Sequence, residues 1–158
     1  IITTIGGFAT LDDFDAFQEA ALNNPTVMNR LDAIDGLCDR THWQVSEVLS
    51  SALDMPTGYE PKVVGRTMNV ATPGKRQALV DAFLGIRDKV SPDVKPMVSA
   101  QMSGPISAVR ITTFGTSLQD LDDQIKEFRG QARNAGVPDL LGQVPVHHLG
   151  RVVYRASV

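Results

Sequence analysis

Cysteine is nearly absent. Cys38 is the single one in 158 residues, so no internal disulfide forms and the fold needs no oxidising compartment. With no secretory-signal pattern visible, the expected location is cytoplasmic. No apolar run approaches the roughly 20 residues that a membrane span requires. Basic residues are not in excess: net charge is −3, which argues against a nucleic-acid partner, since such proteins carry a basic face. No glycine-rich phosphate loop, serine elbow or Cys/His metal spacing is present, so neither a metal nor a cofactor is expected. Cys38 itself reads as a small apolar helix residue. It lies near a helix end close to His42, but at the terminus that does not lower a thiol pKa.

What is present suits a globular chain. Hydrophobic residues make up 42% and charged residues 21%, enough to build a core. Residues 1–9 read as a short strand stopped by Gly6-Gly7. Thr10 then reads as an N-cap, with Asp12 and Asp13 in the first turn, where the helix dipole favours acids. Leu11, Phe14, Phe17, Ala21 and Leu22 recur at helical spacing. Asn24-Pro25 breaks that helix, and a second helix is expected from Thr26 to about Asp39. Residues 42–53 read as a strand, and 54–61, with two prolines and a glycine, as a linker.

After the linker a complete series follows. Residues 66–71 form a strand and 75–90 a helix with Leu79, Val80, Phe83, Ile86 and Val90 inward. Strands at 96–103 and 106–115 flank a Gly104-Pro105 hairpin turn. Ser117 caps a helix to about Ala135, and residues 146–157 are a last strand. The order is β-α-β-β-α-β, an α+β, ferredoxin-like plan with antiparallel strands and helices on one face.

The chain also repeats itself. Ile2-Thr3-Thr4-Ile5-Gly6 matches Ile111-Thr112-Thr113-Phe114-Gly115, and Leu11-Asp12-Asp13-Phe14-Asp15 matches Leu118-Gln119-Asp120-Leu121-Asp122. On this reading residues 1–53 are the second half of one ferredoxin-like unit and 62–158 are a whole second unit. The first half of the first unit is then expected upstream of Ile1 or from a partner chain, because a β-α-β half leaves an uncovered sheet edge.

With this order and this repeat, the chain resembles the dimeric α+β barrel superfamily in its tandem form. The stretch Asn24-Pro25-Thr26-Val27-Met28, followed by Leu31, Leu37 and Trp43-Gln44-Val45, is similar to the small stress-responsive branch. Relatives of that branch carry a His after the proline and another on the first strand. Met28 takes the first place here, and Arg66-Thr67-Met68-Asn69-Val70 holds no His. The resemblance implies two sheets packed face to face, a homo-oligomer or a completing partner chain, and a small apolar or aromatic organic ligand held in the barrel. The competing expectations are a non-catalytic assembly module and, from the resemblance alone, a cofactor-independent monooxygenase or isomerase. Fold alone does not choose between them.

Strand parity selects the side chains that line such an interior. In strand 106–115, Val109 and Ile111 face the helices, leaving Ala108, Arg110 and Thr112 for the interior. Arg110 suits a carboxylate or phenolate. Asn69, Gln101 and Trp43 join Thr112 as candidate ligand-binding residues. His42 and His148 are candidates to move a proton. His147 and His148 are adjacent on a strand and so point to opposite faces, which does not suit a shared metal. The carboxylate clusters Asp12/Asp13 and Asp120/Asp122/Asp123 fall in first helical turns, where the dipole accounts for them.

Overall fold

A computed structural model describes residues 7–39, 44–50, 58–91 and 94–153. The chain forms two compact units, residues 1–43 and 44–158. Residues 1–6 of the strand expected at 1–9 lie outside the described residues, as do His42, Trp43 and residues 54–57 of the expected linker.

In the first unit, α1 spans Leu11–Leu22 and α2 spans Pro25–Asp35. The Thr10 hydroxyl accepts the Asp13 N–H at 3.1 Å, and the Asp13 carboxylate accepts the Thr10 N–H at 3.1 Å. Two orphan donors of the first turn are thus satisfied reciprocally. Asn24 Oδ1 accepts from the Thr26 and Val27 N–H groups, and Pro25 opens α2 where its missing N–H costs nothing. Phe8 packs against the rings of Phe14 and Phe17 at 5.4 and 5.1 Å. Neither helix contains a buried residue. Helix α2 ends at Asp35, four residues earlier than its sequence pattern implies. Gly36 and the bond from the Cys38 N–H to the Asp35 carbonyl close it.

The second unit holds β1 (Ser46–Val48), β2 (Val63–Val70), α3 (Arg76–Lys89), β3 (Met97–Gln101), β4 (Ala108–Gly115), α4 (Leu118–Asn134), a 3-10 turn at Val137–Leu140 and β5 (Val146–Arg151). The sheet order is β1-β3-β4-β2-β5, and all pairs are antiparallel. Without β1 this is the ferredoxin-like arrangement of a β-α-β-β-α-β chain. The compact unit begins at Gln44, ahead of the expected linker. The backbone of β1 finds its partner in β3, which places Ser46 opposite Gln101 and Val48 opposite Ser99. Of the strand expected at 42–53, residues 44–50 are described, and three of them form β1.

The core lies between the sheet and α3/α4. Alternation sends Val98, Ala100, Val109 and Ile111 toward the helices. There Val98, Val109 and Ile111 meet Leu79, Val80, Phe83, Ile86 and Phe128. The Phe83 and Phe128 rings sit 5.7 Å apart. Fully burying side chains of this size stabilises by about 1.5–3 kcal/mol each. At the Gly104 turn φ is +80°, a conformation that glycine takes without steric cost. Gly115 allows a close approach: a Cβ there would lie 2.9 Å from Leu121 Cβ and 3.0 Å from the Ser117 carbonyl, blocking the turn into α4. Beyond α3, the Ser91 N–H and hydroxyl donate to the Glu127 carboxylate of α4 at 3.0 and 2.9 Å.

Candidate functional site

The sheet of the second unit has a second face, opposite α3 and α4. Its occupants follow from register. On β2 they are Val64, Arg66, Met68 and Val70. On β4 they are Ala108, Arg110, Thr112 and Phe114. Cross-strand pairing sets Val64 against Phe114, Arg66 against Thr112 and Met68 against Arg110. From β3, Met97 stands beside Thr112 and Ser99 beside Arg110. From β5, His148 stands beside Arg66. Arg66 and Arg110 are therefore diagonal neighbours across β2 and β4 on one face.

Arg110 is half-buried. Two amides, not a carboxylate, converge on its head. Gln44 Oε1 accepts a short bond from Nη2. Gln101 lies within reach of both groups. With its amide oxygen toward Arg110 it accepts at 3.1 Å, and its nitrogen donates to the Ser103 carbonyl at 3.3 Å. The reverse orientation bonds Gln44 at 3.2 Å but presses an NH2 against the guanidinium donors, so the charge-assisted arrangement is preferred. Gln101 is almost wholly buried. These amides orient the guanidinium and leave its charge uncompensated.

Arg66 is also half-buried, and its Nε is buried without a hydrogen-bond partner. Burial, and next to it the charge of Arg110, push the Arg66 pKa down. Burial does the same to Arg110. Both side chains remain cationic, because arginine does not release its proton in proteins. The two like charges on one face repel, and partial burial reduces the screening between them. Among the described residues no carboxylate pairs with either: the ion pairs are Arg87–Asp88 and Lys126–Asp122. Thr112 stands directly opposite Arg66 and two residues along β4 from Arg110. It is 0% exposed, and its hydroxyl has no partner.

The structure thus brings Arg110, Thr112, Gln101 and His148 to one face. Asn69 is a correction to the sequence expectation. It stands opposite Val109 on the helix side, buried, with its amide donating to the Thr67 carbonyl at 3.2 Å and the Val109 carbonyl at 3.4 Å. The sheet separates it from Arg110, and its polar atoms serve the backbone. Trp43 and His42 lie outside the described residues. Sequence reasoning missed Arg66 and Gln44. Starting the strand at residue 66 made Arg66 look like a strand end, whereas β2 starts at Val63 and centres it. The apolar pair Val63-Val64 was the available signal.

On the helix side a groove of about 150 Å3 runs between α4 and β5, lined by Leu118, Leu121, Ile125, Leu149, Arg129 and His147, with Asp122 at its rim. His147 Nδ1 lies 2.7 Å from the Thr67 hydroxyl. Burial, then the charges of Arg129 and His148, hold the His147 pKa below its ordinary value. This groove does not include Arg110. His147 and His148 face opposite sides of the sheet. Among the described residues no group of three His, Cys, Asp or Glu side chains is placed to hold a metal, and no helix is long and apolar enough to cross a membrane.

No family model matches the chain, and no curated protein matches it. Among solved structures it is similar to a NIPSNAP family protein from Agrobacterium tumefaciens. The two are 14% identical with a TM-score of 0.40, over 55% of this chain and 89% of that one.

Proposed function

We propose that the second unit binds a small, largely apolar organic molecule against the sheet face opposite its helices, with Arg110 as the polar anchor, and that a second copy of the sheet covers the ligand. The carrying observation is Arg110 itself. Its guanidinium is half-buried, aimed by Gln44 and Gln101, and unmatched by any carboxylate among the described residues. A guanidinium serving only the fold would gain more from an acidic partner than from two neutral amides. Met68, Met97, Val64 and Phe114 supply an apolar floor around it, the lining expected of a small-molecule site. A one-layer sheet with such a face is completed by a second layer. No feature on this face singles out a chemical step, so binding is the function argued here. Turnover by a proton carried on His148 remains the resemblance's implication.

Saturation-transfer NMR of the full chain with benzoate tests the reading, alongside native mass spectrometry for a retained small molecule. Benzoate contact is expected, with Arg110→Gln weakening its binding about tenfold while the melting temperature holds. Benzoate and native spectra both empty would leave the assembly-module reading in its place.

A further inference from the structure

The geometry points to a more specific ligand class for this face: we infer that Arg66 and Arg110 together grip an organic dianion, two negative charges close together on an apolar body. The inference rests on the small-molecule reading above and adds the second arginine to it.

Three observations carry it. First, the register sets two cations side by side on one face of β2 and β4, with no carboxylate from any described residue between them. A monoanion would cancel one charge and leave the other half-buried and unmatched. A dianion cancels both. Second, two donors on this face are unused. The Arg66 Nε is buried without a partner, and so is the hydroxyl of Thr112, which stands opposite Arg66, next to Arg110 on the same face of β4, and is fully buried. Buried polar groups are normally satisfied, and an oxyanion accepts from an Nε/Nη fork and a hydroxyl at once. Gln44 and Gln101 spend their acceptors on Arg110, which fixes its head and leaves its remaining N–H groups for the ligand. Third, the flanking positions are apolar. Met68 lies opposite Arg110, Met97 opposite Thr112, and Val64 pairs with Phe114 one step further along. A wholly polar dianion would leave these side chains uncovered, whereas one on an aromatic-sized body covers them.

The shared chemistry is a doubly charged oxyanion, which occurs either as paired carboxylates or as a phosphate monoester. Calorimetric titration of the full chain at constant ionic strength and pH 7.5, with benzoate, phthalate and phenyl phosphate, separates the cases. Both dianions are expected to bind at least tenfold more tightly than benzoate, or one of them to do so, which then names the source. Arg66→Gln is expected to erase that preference and to hold or raise the melting temperature because it removes a repulsion. Thr112→Val is expected to weaken the preferred dianion severalfold without lowering the melting temperature. Lowering the pH to 5 is expected to weaken phenyl phosphate, whose second ionisation lies near pH 6. Equal affinities for benzoate and both dianions, or a dianion preference that survives Arg66→Gln, overturns the dianion inference while the small-molecule reading stands. Absence of binding by all three probes overturns the dianion inference, and with the native spectra empty as well it takes down both.

Discussion

Single side chains decide this site by the face on which they stand. Arg110 was legible from sequence because Val109 and Ile111 flank it and must face the helices. Asn69 was not. On β2 the residues toward the helices are Val63, Gly65, Thr67 and Asn69, while Met68 and Val70 point the other way. The apolar side chains therefore mark the wrong face, and a parity error of one residue moves every side chain of a strand. Close packing by α4 explains the small residues, since a Cβ on Gly65 would lie 3.1 Å from Ile125 Cδ1. His147 makes a residue-scale prediction. Its folded pKa lies below the ordinary 6.5, so the unfolded chain binds the proton more readily. Stability from this group is complete above about pH 6.5 and is lost as the pH falls through the folded value. Arg129 from α4 and the Thr67 hydroxyl face it, with Asp122 across the groove, and the charge of His148 acts from the other side of the sheet. Thermal melts between pH 7.5 and 5 should show a shallower acid loss in His147→Gln than in the parent; parallel curves would refute it.

At the scale of elements, local chemistry was readable. The caps at Thr10 and Ser117 form as their sequences imply, each hydroxyl accepting the N–H three residues on at 3.1 Å. The acids of these first turns also act locally: Asp120 accepts from the N–H and hydroxyl of Thr116. Burial alone would raise its pKa, but these bonds and that from Gln124 bring it below the ordinary value. The two helices differ in what they pack against. Helix α4 buries Leu121 and Phe128, while α1 buries nothing. Matching cap motifs therefore have unequal consequences. Ser117→Ala is expected to cost the second unit about 1 kcal/mol in chemical denaturation. Thr10→Ala is expected to leave that transition unmoved. A larger loss from Thr10→Ala would mean that the first unit's helices support the second unit's fold.

At the scale of the whole molecule, the sheet of the second unit has one face packed by its own helices and one carrying half-buried methionines, Phe114 and two arginines. Covering that face with a second sheet removes apolar surface from water at about 25 cal/mol per Å2, but the repulsion between Arg66 and Arg110 opposes it. Assembly is therefore expected to depend on anions. Sedimentation at micromolar concentration should show a dimer that Met68→Asp dissociates and that phthalate or phenyl phosphate strengthens. A monomer at every concentration, with or without dianion, would refute the covered-face arrangement.

The order of strands and helices, the helix caps, the Gly104 turn and the core side of α3 were written in local patterns. They depend on spacing, on turn chemistry and on hydrogen bonds between residues a few positions apart. Which strand pairs with which depends on contacts far apart in sequence, and so does the parity of β2. Only the tertiary structure made β1 an edge strand of the second sheet, turned Asn69 inward and set Arg66 beside Arg110. Pairing between distant segments is set by the packing of the entire core, and no local window of sequence contains that information.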